Sequence, residues 1–194
     1  LRMLRYRQKL TRIRTMNKNS LQALAMQSGL AQRSKLFSKT GQHELRAAVM
    51  SPAMQWQRDH WLQLMVPLNQ QLLENMNWLK AQSKDDVLVK RLRTHPGIGL
   101  LTGLAVRHTL APVARFSTTR KVVAYVGLDS MEDSSANRRQ LGSISKEGSR
   151  LLRYLLNEAG QTAARKDPDL KRFYHRLVHR RNRPKAKVAV ARKL

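Results

Sequence analysis

Residues 61–79 read WLQLMVPLNQQLLENMNWL, and their spacing decides the fold class. Trp61, Met65, Leu68, Leu72, Met76 and Leu79 recur at intervals of three and four, the seam of a helix that packs along its length on another helix. Strands would need sustained period-two alternation, and no segment of the chain carries it. The fold is therefore expected to be mainly α. The polar stretch 128–146 still leaves room for a short hairpin. Pro67 falls inside the seam, where it removes an N–H and crowds the preceding turn, so a kink or break is expected there. Upstream, Ser51-Pro52 supplies a capping hydroxyl followed by proline in the first turn, a helix start.

On either side of this block the charge changes character. Residues 44–90 are balanced, with five basic and five acidic residues, whereas residues 1–43 hold ten Lys/Arg and no acid. Residues 165–194 hold twelve Lys/Arg against two Asp. A balanced helix with an apolar seam suits protein contact, either with its own domain or with a second copy. The chain as a whole has 38 Lys+Arg against 12 Asp+Glu, a net charge of +26 on 194 residues. Small domains usually carry a net charge of about 2–8. An excess this large repels itself unless a polyanion neutralises it, and nucleic acid gains further from released counterions. Cysteine is absent, which excludes disulfides and thiolate metal sites. No run approaches the length of a membrane span, so no membrane partner is expected.

Leu10, Ile13, Leu21 and Leu24 sit at near-helical spacing among arginines, giving a long basic helix that ends near Gly29. The polar stretch 32–42 reads as a linker. Three regions follow: a basic helix and linker over 1–43, a coiled-coil-like helical region over 44–90, and a C-terminal domain over 91–194. Within the last, Ser83-Lys84-Asp85-Asp86 caps a short helix, and an apolar helix starts at Leu100. Ser117 caps a helix stopped by Gly127. A helix is expected over 149–166, and Asp167-Pro168 caps the last clear one.

Two segments could carry chemistry. Pro96-Gly97-Ile98-Gly99, between two apolar helices, reads as a helix-hairpin-helix turn whose following helix offers free N–H groups to a phosphate. A plain tight turn is the alternative. The loop Ser130-Met131-Glu132-Asp133-Ser134-Ser135-Ala136-Asn137-Arg138-Arg139 puts hydroxyls beside guanidinium groups, the pairing that nucleophilic attack on phosphorus needs. A solvated polar loop has the same composition. Lys146, Arg150 and Arg153 follow at the start of the next helix and could seat another phosphate. His175 and His179 are four apart but lie among arginines, and the acids form no cluster of the magnesium-holding kind, so no metal site is assigned to this chain.

The order of motifs adds a resemblance. Thr94-His95-Pro96-Gly97-Ile98-Gly99, Arg115-Phe116, Val123-Ala124-Tyr125-Val126-Gly127-Leu128, Ser134-Ser135, Leu141-Gly142-Ser143-Ile144-Ser145-Lys146-Glu147-Gly148 and Leu151-Leu152-Arg153 follow one another as in the C-terminal transposase domain of insertion-sequence family one-ten. Asp167-Pro168, Phe173-Tyr174 and Ala191-Arg192-Lys193-Leu194 extend the likeness. Residues 1–90 resemble that family's coiled-coil middle region. The resemblance implies a serine that attacks DNA to form a phosphoserine intermediate. It also implies a separate RuvC-like domain holding Mg2+ on four acids, a structured guide RNA in some members, and oligomers held partly by the coiled coil. The family's serine-glycine falls on Ser135-Ala136, with Ser134 as the alternative register; alanine here replaces the glycine. The expected protein is thus a bacterial, cytoplasmic, nucleoid-associated transposase fragment. Its partners would be DNA, a guide RNA and further copies of itself, and it would need no cofactor of its own. Lacking the acidic domain, it is expected to be a truncated remnant unable to transpose alone. The competing readings are a non-catalytic helix-hairpin-helix nucleic-acid binder and a structural RNA-binding protein of ribosomal type.

Overall fold

A computed structural model describes residues 1–30, 35–132 and 140–194. Among them the chain is mainly α-helical, with a single two-stranded sheet. Two compact units emerge: Arg2–Leu79, and Lys80–Leu194 together with Leu1.

The first unit is built on two long helices. Helix α1 spans Arg2–Gln27 and α3 spans Pro52–Gln82. They run antiparallel. Leu10 packs on Leu68 and Leu72. The Asn17 amide donates to the Trp61 carbonyl at 3.0 Å, and the Asn75 amide reaches the Met3 carbonyl at 3.4 Å. The seam read from the sequence is therefore buried within the chain: Leu68, Leu72 and Leu79 are almost fully covered. Leu62, one position from Trp61, also joins the core, with Leu21, Ala25, Leu36, Leu45 and Met50.

The structure narrows two expectations here. Pro67 does not break α3, which continues through it. The proline lies on the exposed side, where the carbonyl it leaves unpaired can meet water, while buried leucines before and after it hold the helix on α1. Nor is 32–42 linker throughout. Ser38 accepts from the Gly41 N–H and starts α2, Lys39–Ala47. Leu45 on this helix is wholly buried. Gly41 makes the turn possible, since a Cβ there would sit 2.1 Å from the Lys35 carbonyl oxygen. Arg58 of α3 is 8% exposed and donates to the Arg46 carbonyl at 2.9 Å, so α3 caps the end of α2.

The second unit begins with α4, Val87–Leu92, capped by Asp86, and α5, Leu100–Leu110. A 3-10 turn at Val113–Arg115 leads to α6, Thr119–Val126. Thr118, not Ser117, is its N-cap. The left-handed Gly127, φ 72°, ends it as expected. Strands β1, Ser130–Glu132, and β2, Leu141–Ile144, form the short antiparallel hairpin that the sequence left open. Helix α7, Arg150–Lys166, is capped by Ser149, and α8, Pro168–Arg180, by Asp167. A further helix, α9, Arg183–Lys193, starts at Asn182-Arg183-Pro184. It follows the helix that Asp167-Pro168 caps, the last clear one in the sequence. It crosses α7 closely, because Gly160 lets Ala191 approach: a Cβ at Gly160 would lie 3.1 Å from the Ala191 nitrogen. Ala163, Ala164, Leu170 and Val190 fill the core among α7, α8 and α9.

Candidate nucleic-acid interface

The quoted motifs of the C-terminal unit converge on one junction, where the end of α6 meets the approach to α7. Gly127 and Gly148 interlock. A Cβ on Gly127 would stand 2.7 Å from the Glu147 and Gly148 nitrogens, and one on Gly148 would stand 2.1 Å from the Tyr125 carbonyl oxygen. Side chains at either position would separate the two segments. Arg153 locks them: its Nη1 donates to the Val126 carbonyl at 3.1 Å and to the Gly148 carbonyl at 2.6 Å. The two N–H groups of this one guanidinium nitrogen can serve both acceptors while the side chain keeps its charge. Two hydrogen bonds close the base of the hairpin. The Ser145 hydroxyl donates to the Asp129 carboxylate at 2.5 Å, and the Ser145 N–H donates to the Asp129 carbonyl at 2.9 Å. The Lys146 backbone is left-handed, φ 60°, and its N–H bonds the Gly127 carbonyl at 3.1 Å. That conformation costs a non-glycine residue about 1 kcal/mol, held here by the closed base.

Lys146 and Arg150 are exposed beside this junction. Arg115 lies nearby on the approach to α6, with its guanidinium 4.7 Å from the ring centres of both Phe116 and Tyr125. Ser134, Ser135, Arg138 and Arg139 lie in the sequence between β1 and β2, outside the described residues.

The 96–99 turn sits between α4 and α5 as the sequence placed it, but its glycines have separate tasks. Gly97, φ 97°, is pressed onto α7: a Cβ would come within 2.5 Å of the Ala159 carbonyl oxygen and 2.8 Å of the Ala163 nitrogen. Pro96 and Ile98 are half-buried with it. Gly99 faces open space and heads α5 with no side-chain cap. The first N–H groups of α5 are thus not served by a side chain of their own cap, the arrangement that receives anions. The turn meets α7 roughly ten residues beyond Arg150–Arg153, about 15 Å along a helix rising 1.5 Å per residue. The two groups of residues do not merge into one site. They border the same helix at an interval of about four nucleotide steps of 3.4 Å.

Among the described residues no three His, Asp or Glu side chains come together to hold a metal ion. His175 and His179 are exposed on α8. No helix of the described residues is long and apolar enough to cross a membrane.

Comparison with known proteins meets this junction directly. Residues 89–175, from α4 into α8, match the family described as Transposase IS116/IS110/IS902. Over residues 89–175 the chain is thus similar to a transposase domain of that family. A transposase for insertion sequence element IS1111A from Coxiella burnetii is 34% identical over 119 residues, 59% of this chain and 33% of that protein. A probable family 20 transposase from Pseudomonas aeruginosa is 30% identical over 119 residues, 59% of this chain and 35% of its own length. The aligned part is thus about a third of each relative. Within residues 89–175, Arg153 is a nucleic-acid candidate of the sequence analysis, and its described hydrogen bonds are to the protein backbone. Asp129 and Ser145 were missed as a pair, since a carboxylate and a hydroxyl sixteen residues apart give no local signal without the hairpin that joins them.

Proposed function

We propose that this chain supplies the DNA-binding and strand-transfer part of a transposase. The observation that carries the reading is the family match over residues 89–175 together with a hairpin whose base is pinned by Asp129 and Ser145. In this reading Ser135, or Ser134 in the alternative register, is the nucleophile. Its Oγ bonds to a DNA phosphorus while the phosphorus bond to the leaving deoxyribose oxygen breaks. The serine proton passes to a base, and the leaving oxygen takes up a proton. Arg138 and Arg139 offset charge on the phosphate oxygens. Lys146 and Arg150, exposed at the start of α7, and the Pro96-Gly97-Ile98-Gly99 turn hold the DNA backbone, with Arg153 fixing the geometry between them. Mg2+ belongs to a RuvC-like acidic domain; the described residues of this chain do not provide a site that fits it. A structured guide RNA is a further partner, and the setting is the bacterial cytoplasm at the nucleoid.

The chain also pairs with a second copy. With the seam buried on α1, the surface for this is the flank of α3 bearing Trp56, Leu64 and Trp78, which are 64%, 38% and 47% exposed. Sedimentation at tens of micromolar should show association that Trp56→Glu with Leu64→Glu removes; a strict monomer before substitution rejects the pairing.

The chemistry is tested with the chain joined to an acidic metal-binding domain and mixed with element-end DNA. A covalent protein–DNA adduct is expected. Ser135→Ala should abolish it while leaving affinity nearly unchanged, because one hydroxyl scarcely alters a surface of net charge +26. Loss of the adduct with Ser134→Ala alone moves the register by one, and persistence in both variants rejects the serine mechanism.

A further inference from the structure

A cavity of about 510 Å3 lies between the hairpin and the last two helices. One wall is β1–β2, with Ser130, Ser143 and Ile144; the other is the end of α8 and the length of α9. Among the described residues three cations line it: Arg181, Lys185 and Arg192. Among the described residues all three are exposed, none makes an ion pair, and no carboxylate lines the cavity. The three lie beyond residue 175, where the family match ends, so the basic wall is not part of the matched domain.

We propose that this groove binds an unpaired DNA strand next to the hairpin. The charge is complementary to a phosphate backbone, and three unpaired cations facing one cavity favour a polyanion over a single small anion. At about 510 Å3 the cavity is too small to enclose a double helix. Between these cations the helix side also presents apolar groups, Leu177, Pro184, Val188 and Ala189. That surface accommodates deoxyribose and base faces, whereas a ribose 2′-hydroxyl would be left without a polar partner on it. The hairpin hydroxyls of Ser130 and Ser143 add hydrogen bonds to phosphate oxygens. In the sequence the same hairpin continues into the serine loop, the segment to which strand transfer is assigned. The inference rests on the nucleic-acid reading given above.

The test measures binding of the full chain to a short labelled thymidylate strand, to a duplex and to the matching oligoribonucleotide across a salt series. Arg181→Gln with Lys185→Gln and Arg192→Gln removes the cationic wall. Arg5→Gln with Lys9→Gln and Arg12→Gln removes the same charge from exposed positions of α1 in the other unit. Ala189→Trp fills the cavity without altering charge. The groove variant should lose about tenfold or more in single-strand affinity beyond the α1 variant. Its logarithmic salt slope should fall by about 2, three contacts at roughly 0.7 each. Ala189→Trp should weaken the single strand and spare the duplex. Equal losses in the groove and α1 variants overturn the groove while leaving general nucleic-acid binding intact. So does preference of the groove for the oligoribonucleotide. Failure of the unsubstituted chain to bind any of the three probes overturns both readings.

Discussion

Gly99 and Gly148 are both motif glycines, yet their surroundings make opposite demands. A methyl group at Gly148 would collide with backbone at 2.1 Å, and backbone cannot swing aside as a side-chain tip can. Gly148→Ala should destabilise the chain by about 2–3 kcal/mol in urea unfolding, at the upper end of overpacking costs. Gly99 meets nothing within 4 Å and has an ordinary φ of −85°. Gly99→Asp therefore introduces a good helix cap at α5 and should raise stability by about 0.5 kcal/mol. The same carboxylate would occupy the anion seat, so DNA affinity should fall severalfold. Affinity unchanged in a stabilised Gly99→Asp protein would remove the turn from the interface. Arg153 and Arg150 divide in the same way. Arg153→Met leaves the Val126 and Gly148 carbonyls unserved and should cost about 2 kcal/mol of stability. Arg150→Met, at an exposed position, should leave stability within about 0.5 kcal/mol and lower DNA affinity. A large affinity loss in Arg153→Met without a stability loss would return that side chain to direct phosphate contact.

Helix α3 gives the clearest view of what the sequence could and could not disclose. The three-and-four spacing of Leu68, Leu72 and Leu79 is a local pattern, so helix and apolar face were both legible. The partner was not, because Leu10 on α1 is nearly sixty positions away and any apolar stripe would look the same from α3 alone. Pro67 misled for a related reason. Its local cost is real, but its consequence depends on whether packing before and after it holds the axis, which is a tertiary fact. Pro67→Ala restores an N–H for the Gln63 carbonyl at an exposed position and removes no buried contact. It should raise the stability of the first unit by roughly 1–3 kcal/mol, the interior proline penalty less the entropy that proline takes from the unfolded chain. A fall in the unfolding midpoint would mean that the proline shapes the curvature that α1 requires. At the C-terminal junction the motif residues were legible by type and order, yet the division of labour was not. Nothing in Gly-Leu-Asp or Lys-Glu-Gly announces that two glycines cross each other's backbones. Arg153 is likewise indistinguishable from Arg150 until α6 is placed beside it.

At the scale of the whole molecule, charge dominates. Ion pairs among the described residues include Arg58–Asp59, Lys90–Asp85, Arg107–Asp86 and Arg172–Asp169, and twelve acids in all stand against 38 Lys and Arg. Arg58 beside Asp59 holds that carboxyl below its usual range, through a hydrogen bond first and charge second. Asp59 is itself exposed, so its titration is a minor contribution to stability, present above the ordinary aspartate range and lost as pH falls through the lowered value. The larger effect is repulsion among unpaired cations, which opposes compaction in the free chain and is relieved by mobile ions or by a bound polyanion. Two salt dependences of opposite sign follow from this one cause. The thermal midpoint of the free chain should rise as salt is raised from about 50 to 200 mM, because screening shortens the reach of repulsion to about 8 Å near physiological strength. Over the same range affinity for duplex DNA should fall by about a thousandfold or more if six or more phosphates are neutralised, because added salt opposes counterion release. DNA should therefore stabilise the chain most at low salt, where the free protein is least stable and the complex tightest. Calorimetric scans with and without duplex at several salt concentrations read both trends together. A midpoint that falls with salt in the free chain shows that specific ion pairs outweigh repulsion, and an affinity that stays flat rejects phosphate contact as the main source of binding.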